Sequence, residues 1–173
     1  VAVGGSGSSG RVLESTNGGQ SWSTIFSTSL VLTDIAVAYQ GGVTHYLLGG
    51  INTAGTGVSD LGLAISSDDS FSTHTQQTLE SYVFGVAVGM SSDGGTRSTG
   101  TADTVRFFAC GIDGYTYVMD VASDSTFGSV TTTEVSAANS NQLNGMGAFG
   151  INNAIAGGES GTIIYTTNAG STW

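Results

Sequence analysis

Apolar residues come in short runs along this chain, and the runs repeat in a fixed order. The first kind is small and apolar: Asp34-Ile35-Ala36-Val37-Ala38, Gly85-Val86-Ala87-Val88-Gly89 and Gly145-Met146-Gly147-Ala148-Phe149. The second ends in glycine: Val1-Ala2-Val3-Gly4-Gly5, Tyr46-Leu47-Leu48-Gly49-Gly50, Phe108-Ala109-Cys110-Gly111 and Ala154-Ile155-Ala156-Gly157-Gly158. The third alternates imperfectly, most clearly in Val12, Glu14 and Thr16 against Leu13 and Ser15, and recurs at Leu63–Ser66, Met119–Ala122 and Ile163–Thr166. A more polar run follows, as in Thr131-Thr132-Thr133-Glu134-Val135. Runs this short, bounded by glycine, have the length of strands. Each cycle therefore predicts four strands, A to D, with the small residues of strand A suiting the crowded neighbourhood of a central axis. Helix is expected to be almost absent.

A polar phrase closes the third run of every cycle. It is complete in Ser15-Thr16-Asn17-Gly18-Gly19-Gln20-Ser21-Trp22 and Thr166-Thr167-Asn168-Ala169-Gly170-Ser171-Thr172-Trp173. Shorter versions, Ser67-Asp68-Asp69-Ser70-Phe71 and Ser123-Asp124-Ser125-Thr126-Phe127, keep an acidic residue and bring the aromatic closer to it. With Asn17, Asp68, Asp124 and Asn168 taken as equivalent, the intervals are 51, 56 and 44 residues, which is the length of a four-stranded repeat. The phrase reads as a turn between strands C and D. Its Asn side chain bonds backbone amides ahead of it, and Gly19 or Gly170 takes a positive φ without steric penalty. The aromatics, Trp22, Phe71, Phe127 and Trp173, are then expected to fold back as apolar plugs between strands.

The two complete phrases resemble the Asp-box, or BNR repeat, of sialidases, xyloglucan-cleaving glycosidases, sortilin-type receptors and photosystem II assembly factors. The stretches Ala2 to Trp22 and Ala156 to Trp173 are most similar to the last of these, the Ycf48-like repeats. The resemblance implies an all-β fold, a β-propeller of four-stranded antiparallel blades. About four blades are visible in 1–173: a partial one with the box 15–22, complete ones at 33–80 and 83–136, and a partial one at 143–173. The chain opens on a strand B and stops without a strand D, so the expectation is a segment of a larger propeller, of roughly six to eight blades. A four-bladed ring with two three-stranded blades is the alternative. The resemblance also implies that the boxes are structural and lie away from the ligand face. On the opposite face the B to C turns carry Asp60, Asp113 and Glu159, a tentative acidic binding rim. A purely conformational role explains Asp113-Gly114 equally, since that dipeptide favours a hairpin turn.

Composition narrows the partners. Gly, Ser and Thr make 75 of 173 residues, and the chain has three arginines, no lysine and thirteen carboxylates, for a net charge of -10. Nucleic acid requires a basic stripe, and an anionic membrane surface would repel this chain. A protein partner is expected, with a glycan left open. No run approaches the ~18 apolar residues of a membrane span, so direct membrane insertion is not expected. Val1 in place of Met points to a processed or partial chain. Cys110 stands alone in an apolar run and reads as a buried small hydrophobe.

Catalytic and metal chemistry find little footing. A sialidase needs three convergent arginines, whereas Arg11, Arg97 and Arg106 fall on a strand, a loop and another strand. A paired-acid glycosidase needs two carboxyls ~5 to 9.5 Å apart; Asp34 opens a strand A, but Gly85 and Gly145 occupy the equivalent positions. His45 and His74 have no neighbour at ligand spacing and read as surface strand residues. No metal, cofactor or catalytic residue is therefore assigned. The long loops Ile51 to Asp60 and Ser91 to Asp103 are either partner-binding or simple insertions. The expected function is a non-catalytic scaffold or protein-binding module, such as a subunit or assembly factor of a photosystem-like complex, in an extracellular or lumenal compartment such as the thylakoid lumen. The alternatives are a fragment of an Asp-box glycoside hydrolase with its catalytic residues elsewhere, or a sortilin-type receptor ectodomain.

Overall fold

The computed structural model describes residues 1–7, 9–40, 43–52, 61–67, 71, 74–90, 105–121, 131–134 and 141–173. They form four antiparallel sheets. The first holds β1 (Ala2–Ser6), β2 (Ser9–Glu14) and β3 (Ser23–Thr28); the second holds β4 (Val31–Gln40), β5 (Val43–Asn52), β6 (Leu61–Ser67) and β7 (His74–Leu79). The third holds β8 (Val83–Met90), β9 (Val105–Gly111), β10 (Tyr115–Val121) and β11 (Thr131–Glu134), and the fourth β12 (Leu143–Phe149), β13 (Asn153–Gly158) and β14 (Ile163–Thr166). Within each sheet, strands follow in sequence order and neighbours pair antiparallel. Apart from two single 3-10 turns, Ile112–Gly114 and Glu159–Gly161, the described residues contain no helix. The fold is all-β, as the short apolar runs predict.

The sheets stack in series through their first strands: β1 packs on β4, β4 on β8 and β8 on β12. Small side chains make this possible. A Cβ added at Gly85 would lie 2.8 Å from the Cα of Gly145, and one at Gly89 would run into the carbonyl oxygen of Gly150. The first strands of the last three sheets also share an irregularity, a register shift at Leu32/Asp34, Val83/Gly85 and Leu143/Gly145. An extra residue there kinks the strand locally. In the second sheet that residue is put to use, for Thr33 Oγ1 donates to the carbonyl of Val83 at 2.7 Å.

Three apolar slabs fill the spaces between sheets. Val12, Leu32, Tyr46, Leu48 and Phe71 lie between the first two; Leu47, Val86, Phe107, Ala109, Tyr117 and Met119 lie between the second and third. Phe108, Cys110 and Val118 meet Leu143, Ala154, Ala156 and Ile164 between the third and fourth. Along β9, Phe107 and Ala109 therefore point one way, and Phe108 and Cys110 the other. A strand covered on both faces reads as a continuous apolar run, which is why the alternation in the sequence is weak. The same coverage corrects one expectation: His74 is exposed, but His45 on β5 is fully buried rather than at the surface. Polar ties cross the slabs as well. Asp34 accepts from the amide of Val86 at 2.9 Å, and Arg106 clasps Asp120 at 2.7 and 3.0 Å while donating to the carbonyl of Ile151 at 3.1 Å.

Two substitutions separate packing from shape. Gly85→Val overfills the β8–β12 contact and is expected to lower stability by about 1–3 kcal/mol. Phe108→Ala empties the third slab and should cost about 3–5 kcal/mol. Urea unfolding measures both, and the proposed close contact predicts that Gly145→Val, across the same junction but pointing to open space, is tolerated better than Gly85→Val.

Candidate functional site

The two complete boxes share the same Ser/Thr and Asn hydrogen bonds. In the first, Ser15 Oγ donates to Asn17 Oδ1 at 3.0 Å and accepts from the amide of Gly19 at 2.8 Å. Asn17 Oδ1 accepts from the amide of Ser21 at 3.0 Å, and its Nδ2 donates to Ser21 Oγ at 2.8 Å. In the second, Thr166 Oγ1 donates to Asn168 Oδ1 at 2.9 Å and accepts from Gly170 N at 3.0 Å, while Asn168 accepts from Thr172 N at 3.0 Å and donates to Thr172 Oγ1 at 2.8 Å. Each turn places two successive residues in the left-handed region: Gly18 and Gly19 at φ 70° and 88°, Ala169 and Gly170 at 61° and 78°. Ala169 is the strained member, because its Cβ crowds the following carbonyl there. The hydroxyl that opens each box and the Asn side chain are thus engaged within the turn itself, while the amide of Ala169 donates outside it, to Asn152 O at 2.9 Å.

The aromatics behave less uniformly than the sequence predicts. Phe71 is buried and stacks on Phe26 of the first sheet and Tyr46 of its own, with ring centroids 5.1 and 4.9 Å apart. Trp173 packs against the clusters formed by Cys110, Phe108 and Val118 of the third sheet. Trp22 is not a buried plug: it is 49% exposed, and its Nε1 donates to the carbonyl of Gly19 at 3.1 Å. The difference has a simple cause. Phe71 and Trp173 lean on the sheet before their own, and among the described residues no sheet precedes the first. Asp68, Asp124 and Phe127 lie outside the described residues.

On the B to C side, Asp60 also lies outside the described residues, as do Arg97 and most of the two long loops. The other two turns are closely alike. Asp113 (φ 54°, ψ 26°) and Ser160 (φ 55°, ψ 23°) take the same left-handed position, so Glu159 corresponds to Ile112 and the two acids are offset by one residue. Both turns are tied to the lead-in of β12: Gly114 N donates to Asn141 O at 3.0 Å, and Glu159 N to Gln142 O at 2.9 Å. The Glu159 carboxylate itself accepts from the amide of Gln142 at 3.4 Å. Its charge is spent on its own backbone neighbourhood. Among the described residues, no group of three or more His, Cys, Asp or Glu side chains is placed to hold a metal ion.

Other chemically capable groups are dispersed or sealed. Arg11 is exposed on β2 of the first sheet, whereas Arg106 is committed to Asp120 in the third. Burial pushes the Cys110 thiol from its ordinary 9.0 up to about 12, a backbone hydrogen bond from Gly85 partly opposing and the Asp34 charge adding to the rise. Burial likewise raises the Tyr117 phenol above its ordinary value of 10.0.

What the sequence did not disclose is an open apolar face. Phe149, Ile155, Ile163 and Tyr165 stand on the outer side of the fourth sheet, 85%, 52%, 70% and 64% exposed. The register sets Ile155 opposite Tyr165 and Ile163 opposite Gly157. Between Phe149, Ile155 and Tyr165 the surface dips above Gly147. No charged residue occurs in β12, β13 or β14. A contiguous apolar patch of this kind is a mark of a contact surface, for a macromolecule or a ligand. These residues obey the same strand pattern as buried ones, so only the absence of a covering sheet among the described residues reveals them.

Three outcomes test the site chemistry. Asn168→Ala strands several donors and acceptors and should destabilise by about 1–3 kcal/mol, whereas Ala169→Gly relieves the left-handed alanine and should stabilise by about 1 kcal/mol; thermal denaturation reads both. Because the folded state holds the Cys110 and Tyr117 protons more tightly than the unfolded chain, their contribution is intact below pH 9 and stability falls as pH rises past the ordinary thiol value of 9.0. A thiol reagent at neutral pH should label Cys110 only after unfolding; prompt labelling of the native protein contradicts its burial. Comparison with known proteins returns no match: no family model, no curated protein and no solved structure aligns significantly with the chain.

Proposed function

We propose that this chain is a non-catalytic β-propeller module whose four sheets are blades, acting as a scaffold or protein-binding unit of a larger assembly. The observation that carries this reading is the serial packing of the first strands, β1 on β4 on β8 on β12, combined with two superposable box turns after β2 and β14. Meandering antiparallel sheets stacked through small-residue first strands match the radial construction of propellers. The resemblance of the boxes to Asp-box families supports the same architecture. β1 and β12 do not pack on one another as the other first strands do. On this reading the four blades are an arc of a ring of more than four.

The scaffold role rests on what the polar groups are doing. Asp34, Asp120 and Glu159 are each bonded to neighbouring backbone or to Arg106, and the Asn side chains of the two boxes are satisfied within their own turns. The surface left unsatisfied is apolar, and apolar surface binds protein. A lumenal or extracellular assembly, of which a photosystem intermediate is one example, is the setting the box resemblance favours. The lysine-free, acidic composition gives no basic patch for an acidic partner, so recognition would proceed through apolar contact. Purified protein incubated with aryl sialosides and soluble β-glucans is expected to release no product above the buffer blank. Saturable turnover of either substrate would overturn the non-catalytic reading.

A further inference from the structure

The two complete boxes hold the same asparagine in the same bonds, yet only one of them leaves it open to chemical change. Asparagine loses its side-chain amide when the backbone nitrogen of the next residue attacks its Cγ, and a following glycine, with no Cβ and a free choice of backbone angles, obstructs that attack least. The chain has two such pairs, Asn17-Gly18 and Asn144-Gly145. Asn144 is held by its strand: Gly145 pairs with Gly157 in the ladder and lies directly under Gly85, so closing a ring there would break the sheet. Asn17 and Gly18 are exposed in a turn, and a Cβ at Gly18 would meet nothing within 4 Å.

Both boxes prepare the carbon under attack alike. Asn17 Oδ1 accepts from Ser15 Oγ at 3.0 Å and from the amide of Ser21 at 3.0 Å, and Asn168 Oδ1 accepts from Thr166 Oγ1 at 2.9 Å and from the amide of Thr172 at 3.0 Å. Two donors aimed at one carbonyl oxygen stabilise the negative charge it gains when a nitrogen adds to its carbon. The boxes differ at the attacking nitrogen. The amide of Ala169 is committed to Asn152 O at 2.9 Å, and its residue bears a Cβ. Among the described residues, no acceptor engages the amide of Gly18.

We infer that Asn17 is a self-modification site of the folded protein, converting to aspartate and isoaspartate while Asn144 and Asn168 persist. Gly18 N bonds to Asn17 Cγ and the bond from Cγ to Nδ2 breaks. The proton lost by Gly18 N joins the departing nitrogen, which leaves as ammonia, and Ser21 Oγ, 2.8 Å from Nδ2, is placed to relay it. Water then opens the cyclic imide. Cleavage of the new bond from Gly18 N to Cγ yields aspartate; cleavage of the original peptide bond yields isoaspartate, with an extra methylene in the main chain. Aspartate at this position still accepts from Ser15 and Ser21, and the Ser21 hydroxyl can turn to donate, so the box survives that outcome. Isoaspartate lengthens the turn and breaks its bonds. Either product makes the net charge of -10 more negative. Nothing in this chemistry depends on whether the sheets are propeller blades.

Peptide mapping by mass spectrometry tests it, on native protein held at mildly alkaline pH and on the same protein unfolded in urea. In the native protein Asn17 should convert at least about fivefold faster than Asn168, because freeing the attacking amide from one hydrogen bond is alone worth about that much in rate. Asn144 is also followed by glycine, so the ratio of Asn17 to Asn144 conversion should rise on going from urea to the native state. Gly18→Ala copies the second box, where Ala169 takes the same left-handed position at φ 61°; the variant keeps a turn the molecule already uses and should lose most of the conversion. Native Asn17 that converts no faster than Asn168, a ratio to Asn144 that folding leaves unchanged, or a Gly18→Ala variant that converts as fast as the wild type overturns the inference.

Discussion

Everything in this molecule depends on how closely the first strands approach one another. β8 can lie against β12 only because Gly85 and Gly89 present no side chain to it. That contact fixes the narrow end of each space between sheets. Further out the space widens, and the residues grow with it: Phe108 on β9 and Val118 on β10 fill the third slab, and Phe107, Tyr117 and Met119 the second. Side-chain size is graded along each sheet, so a substitution at the narrow end acts through overpacking, and one at the wide end through a cavity. The open face of the fourth sheet has the same grading. Gly145 and Gly147 stand on β12, Ile155 on β13, Ile163 and Tyr165 on β14.

The boxes solve the opposite problem, at the outer end of each sheet. A chain leaving the third strand must reverse with its polar groups satisfied, and Asn is the residue that can both accept and donate from one short side chain. Asn17 and Asn168 use both capacities, accepting at Oδ1 and donating at Nδ2 to Ser21 and Thr172. A carboxylate in the same place cannot donate. Rigid turns that consume their own hydrogen-bonding capacity are supports, and they leave recognition to the apolar surfaces.

The strand order was legible because glycine, small apolar and alternating runs have distinct physical causes, and those causes recur in every cycle. Three features were not legible. His45 sits in a run whose polar neighbours make it look solvent-facing, yet β5 is covered on both sides and carries it inward. Asp113 and Glu159 look equivalent by proximity to glycine, but the left-handed positions belong to Asp113 and Ser160, and only the dihedral angles reveal the offset. Ile155 and Phe108 are the same residue in pattern and opposite in exposure. A strand's sequence records that its face is made to be covered, not which sheet covers it. The same limit explains Trp22, which has the sequence of a plug and, among the described residues, no preceding sheet to plug against.

Charge placement accounts for how an acidic chain tolerates so much apolar contact. The described carboxylates that are exposed, Glu80, Asp113, Asp120 and Glu159, sit in turns or near a strand end, beyond the rims of the slabs. Arg106 neutralises one of them while tying the third sheet to the fourth through the carbonyl of Ile151. Net repulsion then acts between turns, where solvent and salt screen it over about 10 Å at 0.1 M, and not across the apolar spaces. A fourth sheet without a single charge in its strands extends this arrangement to the surface. Its outer face is therefore continuous in chemistry with the interior slabs, and what distinguishes it from them is only that no sheet among the described residues covers it.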